Sequence, residues 1–208
     1  MVSRPKVPAS PPAPLRRQDG DIVEFHEVLW RIHRARGEHV MVWNAMRRYG
    51  PLPTARFDPH PEPPGPGAEG VTYAGVDIAT ALAEVFQETR VVDTASRAPQ
   101  ATAWAPVRRL QLLDLTGTWA LRNGAPAALT AAPRPICREW ARAIRSTWPD
   151  LDGLLYESTM TGHRNVVLWN PAADSFPARP SFSRPLSHQV LWEVCRRVAV
   201  EDLGYAIA

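Results

Sequence analysis

The chain is poor in cysteine. Its 208 residues include two, Cys137 and Cys195, far apart and in no metal-ligand spacing. Two lone thiols suit a reducing cytoplasm and leave at most one disulfide open. Long apolar runs are missing as well. None approaches the roughly 20 residues that a bilayer-spanning helix needs, so the expectation is a soluble, cytoplasmic protein with no membrane contact. Nor is charge of one sign concentrated anywhere. The net charge of +3 comes mostly from arginines scattered among acids. That pattern favours an anionic ligand and does not by itself indicate nucleic acid. Several site types are absent too. His26-Glu27 is followed by His33 rather than by a histidine three residues after the glutamate, and His39, His60, His163 and His188 form no tight cluster, so no metal site is expected. There is no phosphate-binding glycine loop and no nucleophile elbow, which excludes ordinary nucleotide kinases and most serine hydrolases.

What is present is an ordinary balance of 45% hydrophobic and 22% charged residues, long enough for one buried core, so residues 21–208 are expected to form a single domain. Residues 1–20 are rich in proline and poor in long apolar side chains, which predicts a flexible tail rather than a signal peptide. The stretch Val71 to Glu88 reads as strand, tight turn and helix. Tyr73 ends the β-prone run, Gly75 permits the turn and Asp77 caps the helix by accepting from its free amides. Ile78, Leu82, Val85 and Phe86 recur at helical spacing and are expected to pack inward. Glu84 then falls off that stripe. It is either a solvated surface carboxylate or one that looks into a cleft.

Elsewhere Val28 to His33 reads as a strand. Arg31, flanked there by large apolar residues, needs an acceptor if buried, which makes it a candidate for gripping a carboxylate or phosphate; an edge-strand arginine facing water is the plainer alternative. Arg34 and Arg36 are close enough to take the role instead. Tyr49 to Gly70 is dominated by proline and glycine, with Ala55-Arg56-Phe57-Asp58 as its one compact charged and aromatic cluster. The first half is expected to form a lid or rim and Pro59 to Gly70 to be disordered. Strands are expected near Val107–Leu115, Leu154–Tyr156 and Val166–Trp169, and helices over Pro135–Trp148 and Gln189–Val200, the last packing through Val190, Leu191, Val194 and Val198. Cys137 has no histidine near it in sequence and reads as a structural thiol. Ser158 sits where a strand ends. It either serves a site or only satisfies loop backbone groups.

Leu29-Trp30-Arg31-Ile32, Ala55-Arg56-Phe57-Asp58, Val71-Thr72-Tyr73 followed by Ala83-Glu84-Val85, and Asp152 to Ser158 with Asn165 to Leu168 together resemble the RES domain, a bacterial toxin family named for its arginine, glutamate and serine. The match runs roughly from Trp30 to Asn170. Alanine at position 55 and phenylalanine at position 57 depart from the family's usual glycine and tryptophan. The resemblance implies an α+β fold, mixed small sheets with helices around an ADP-ribosyltransferase-like core. It implies an enzyme that takes NAD as substrate and needs no cofactor, and a partner antitoxin with a DNA-binding domain. Homo-oligomerisation is left open, and no direct contact with nucleic acid is implied. It puts Glu84, Arg31 and Ser158 in catalytic positions and Arg31, Tyr73, Arg56 and Ser158 against NAD.

Two functions follow from that resemblance, and a third, from another class, competes with them. The first is a toxin that cleaves NAD at the nicotinamide–ribose bond, passing ADP-ribose to water or to inorganic phosphate and depleting the cell. The second is a protein ADP-ribosyltransferase, which differs only in the acceptor. The third is a non-catalytic nucleotide-binding or interaction module.

Overall fold

A computed structural model describes residues 7–208. Nine strands form one mixed sheet in the order β1 (Ile22–Phe25), β7 (Leu110–Asp114), β8 (Gly153–Glu157), β9 (Arg164–Trp169), β4 (Gly65–Gly75), β2 (Leu29–Arg34), β6 (Pro99–Trp104) and β10 (Phe182–Pro185), with β3 (Arg47–Gly50) also paired to β4. Only the β7–β8 pair is parallel in that sheet. The helices are α1 (Ile78–Phe86), α2 (Trp119–Arg122), α3 (Arg134–Thr147) and α4 (Gln189–Arg197), and β5 (Val91–Val92) pairs with β11 (Ala206–Ile207) beside them. The fold is α+β, as the sequence led us to expect. Among the described residues no helix is long and apolar enough to cross a membrane.

The two central strands explain why β8 and β9 are so uniformly apolar. Leu154, Tyr156, Val167 and Trp169 pack on one face with Trp140 and Ile144 of α3, whereas Leu155, Val166 and Leu168 pack on the other with Trp104 and Leu29. Both faces are covered, so alternation with polar residues disappears. Gly153 opens β8 where the strands approach most closely. A Cβ there would lie 1.9 Å from the Val167 carbonyl oxygen.

Four sequence expectations need correction. Pro59 to Gly70 is not disordered: Pro59 and His60 are buried and β4 begins at Gly65. The reason is a row of arginines on α3. Arg138 donates to the Leu52 carbonyl at 3.4 Å, Arg142 to the His60 carbonyl at 3.1 Å, and Arg145 pairs with Glu69 at 3.2 Å. The proline-rich start is not free over residues 8–16, because Leu15 is buried in the α3 core, Trp140 Nε1 donates to the Pro8 carbonyl, and Asn123 and Trp119 both hold Arg16. Met1 to Lys6 lie outside the described residues. On α1 the buried face is Thr80, Ala81, Leu82 and Ala83, and Val85 is 47% exposed. Of the residues expected to pack from the last helix, Leu191 and Val198 are buried and Val194 packs against the same core, whereas Val190 is exposed and Cys195 is buried instead. In both helices an apolar side chain at the right spacing stands beside the buried arc, since the neighbouring element covers only part of the predicted stripe.

Candidate active site

The sheet is split between β2 and β4. These strands pair only at Trp30 with Gly75 and then part, while β2 stays paired to β6 along its whole length. The gap, together with α1 and the Leu52–Arg56 loop, encloses a cleft of about 550 Å³. Small-molecule sites commonly occupy about 300–1,000 Å³. Arg31, Arg56, Tyr73 and Glu84 all line it, and so do Asn165 and Tyr156. Arg34 is there as well; the Leu52–Arg56 segment is its rim.

Each side chain is held by local structure. Arg31 leaves β2 between Trp30 and Ile32, and its Nη1 donates to the carbonyls of Trp43 at 2.8 Å and Ala45 at 3.1 Å. Among the described residues it forms no ion pair with a carboxylate. Burial, and then the nearby Arg47 cation, lower its pKa to about 10, so it remains cationic at neutral pH. Arg56 Nη1 likewise donates to a carbonyl, that of Ala132 at 2.8 Å. Two guanidiniums whose partners are peptide oxygens and the sulfurs of Met41 and Cys137, with no carboxylate among them, make the cleft attractive to an anion.

The Arg56 loop is pinned by Asp58. This fully buried carboxylate accepts from Arg47 Nη2 at 2.7 Å, from Leu52 N at 3.0 Å and from His60. Burial alone would raise its pKa, but His60, the Leu52 amide and Arg47 together hold it well below the usual carboxylate range. Tyr73 reaches from β4 to the same loop, its phenol oxygen accepting from Phe57 N at 3.1 Å. Burial first, then the Asp58 charge, raise its pKa, so the phenol stays neutral.

Glu84 is half-buried on α1. The helix begins as the sequence predicts: Asp77 Oδ1 accepts from Thr80 N at 2.6 Å. Ser158 Oγ donates to Glu84 Oε1 at 2.6 Å and accepts from Met160 N at 3.1 Å. The hydroxyl thus satisfies a loop amide and, at the same time, bonds Glu84. Its place is behind the carboxylate rather than in the cleft wall, which makes it a positioning residue for Glu84 and not itself a group lining the cavity. The same β8–β9 loop grips α1 twice more, through Thr161 Oγ1 with Thr80 Oγ1 at 3.0 Å and His163 Nδ1 with Asp77 Oδ2 at 2.9 Å.

Sequence reasoning did not single out Asn165 and Tyr156. Asn165 Nδ2 donates to the Tyr156 hydroxyl at 3.0 Å, both are buried, and burial followed by the Glu84 charge raises the tyrosine pKa well above its ordinary value. A signal existed, because a buried asparagine opening an apolar strand must satisfy its amide somewhere. Cys137 is a structural thiol as expected. Its Sγ donates to the Leu129 and Ala132 carbonyls, and burial raises its pKa.

Fold and cleft define an α+β protein with two glutamates, Glu84 and Glu88, and several arginines around a cavity of small-molecule size. The sequence model of the RES domain matches residues 28–187, and the chain belongs to that family. Among solved structures it is similar to a chain in the crystal structure of the M. tuberculosis MbcT–MbcA toxin–antitoxin complex, with a TM-score of 0.54 over 83% of this chain and 90% of that one. Sequence identity is 16%, so this likeness speaks for the fold. No curated protein matches the chain.

Proposed function

We propose that this RES domain protein is the toxin of a toxin–antitoxin pair and that its cleft cleaves NAD at the nicotinamide–ribose bond. The observation that carries the reading is Glu84, a half-buried carboxylate that Ser158 orients in a cleft also lined by the exposed Glu88 and by Arg31 and Arg56, which bond carbonyls and pair with no carboxylate among the described residues. Nicotinamide leaves NAD as a neutral base from a positively charged ring, so the leaving group needs no acid and one carboxylate suffices. As the C1′–N bond breaks, its electron pair departs with nicotinamide and the ribose becomes oxocarbenium-like. Glu84 stabilises a charge that develops only in that transition state. Arg31 and Arg56 serve the pyrophosphate, and the Tyr73 ring serves the flat nicotinamide. Water or inorganic phosphate then bonds to C1′ and gives up a proton.

In this reading the antitoxin, a protein with a DNA-binding domain, acts by covering the cleft. Family membership and the fold shared with a chain of a toxin–antitoxin complex support the pairing. The test is to incubate pure protein with NAD, with and without phosphate, and to follow nicotinamide. Release by the wild type and loss in Glu84→Gln is the expected result. No release unless cell extract supplies an acceptor would favour the protein ADP-ribosyltransferase, and none under any condition a non-catalytic module. In cells, growth arrest without antitoxin should accompany a falling NAD pool.

A further inference from the structure

Arg134 is the first residue of α3, 50 residues beyond Glu84 in the chain, and lines the same cleft. Its one hydrogen bond among the described residues is a long one to a neutral group: Nη2 donates to Gln87 Oε1 at 3.3 Å. The other cations of α3 are engaged differently. Arg138 and Arg142 hold backbone carbonyls and Arg145 holds a carboxylate, and all three fasten the segment between Leu52 and Glu69. Arg134 fastens nothing there. Gln87 is itself anchored, since its Nε2 donates to the Glu84 carbonyl at 2.8 Å. Arg134 therefore spans from α3 to the end of α1, resting on an amide oxygen one helical turn past Glu84.

A guanidinium is a poor match for a single neutral oxygen. It offers a planar set of donors suited to two anionic oxygens at once, and exchanging a neutral acceptor for phosphate gains a charge-assisted pair. Arg56 approaches from the same side, because its Nη1 is bonded to the Ala132 carbonyl two residues before Arg134. We propose that Arg134 is a phosphate-gripping residue of the cleft, parked on Gln87 when no nucleotide is bound and transferred to a phosphate of the nucleotide when one enters. This rests on the nucleotide reading of the cleft and adds to it a specificity residue outside the family-like motifs. Gln87 acts as the rest position, near enough to keep the guanidinium in the wall and too weak to retain it.

Two measurements separate this proposal from the catalytic one. ADP-ribose binding, followed by calorimetry, reads the phosphate grip without any bond being cleaved; nicotinamide release reads the chemistry. Arg134→Ala should bind ADP-ribose roughly ten- to a hundredfold more weakly, the loss expected for one charge-assisted contact, and should raise KM for NAD while kcat stays within about threefold. Gln87→Glu places a carboxylate where the amide oxygen stands and should trap the guanidinium, giving a similar loss with Arg134 still present. Gln87→Met, which frees it, should not weaken binding. Thermal melts accompany each variant, and only variants that melt with the wild type are compared. Undiminished ADP-ribose binding in Arg134→Ala, or in Gln87→Glu, overturns the proposal. A wild type that binds ADP-ribose and loses it in both variants, yet never releases nicotinamide, leaves the proposal standing and overturns the hydrolytic reading instead.

Discussion

Ser158 Oγ lies 2.6 Å from Glu84 Oε1, across 74 residues of chain, and the same oxygen accepts from the Met160 amide. The hydroxyl proton is thereby directed at the carboxylate, because the oxygen's acceptor side is already occupied by the loop. Glu84 is held in one orientation by a residue that lies behind it.

Glu84→Gln keeps shape and hydrogen-bonding capacity at a half-buried site, so it should melt within a few degrees of the wild type. In the proposed reaction it removes the negative charge that a cationic ribose would need, and losing one well-placed electrostatic group costs about a hundredfold to a thousandfold in rate. Stability and activity should separate in a melt run beside a nicotinamide-release assay. Glu157→Gln, an exposed neighbour at the end of β8, should be indistinguishable from wild type in both.

Ser158→Ala should lower kcat about tenfold and leave KM nearly unchanged, since it misorients the carboxylate without touching the arginines. Because it acts through Glu84, adding it to Glu84→Gln should cost little more. Two independent effects that multiply in the double variant would show that Ser158 has a separate role.

Arg31→Lys should raise KM for NAD, because lysine cannot offer paired planar donors. The carbonyls of Trp43 and Ala45 add a second expectation. Arg31→Ala removes the donor to the Trp43 carbonyl and one of the two donors to that of Ala45, which Thr72 Oγ1 also serves, and should lower stability by about 1–3 kcal/mol as well. Denaturant midpoints for the two variants should differ, with the lysine variant nearer wild type.

Stability should fall on mild acidification. His33 is held neutral: burial, then the Arg31 cation, lower its pKa to about 4. Its unfolded value is about 6.5, so the unfolded chain takes up the proton first. The contribution is complete above about pH 6.5 and is lost as pH falls toward 4. Asp58, whose carboxyl is depressed, adds a loss only at lower pH still. Urea midpoints measured at about pH 7, 5.5 and 4.5 should fall in that order, and His33→Gln should flatten the trend.

Leu15 tests whether the N-terminal segment is docked. Buried beside Trp119 and Trp140, it should cost about 2–3 kcal/mol when changed to alanine, with KM for NAD unaltered. A free tail would show no change in the melt.

The chain's local grammar determined much of this molecule. Apolar spacing marked β2, β7, β8, β9 and α3, the Asp77 cap marked where α1 starts, and the order of short motifs pointed to the RES family. Such features are decided by residues within one or two turns of each other, so they survive in sequence. The tertiary structure decided the rest. The split between β2 and β4 that opens the cleft depends on strand neighbours far apart in the chain. The order of Pro59 to Gly70 depends on arginines of α3, and the docking of residues 8–16 on the indoles of α2 and α3. Ser158 met Glu84, and Arg134 met Gln87, only because the β8–β9 loop and the start of α3 are both brought against the last turn of one short helix. No local periodicity encodes these meetings, since each is fixed by packing between elements whose separation along the chain carries no information about their distance in space.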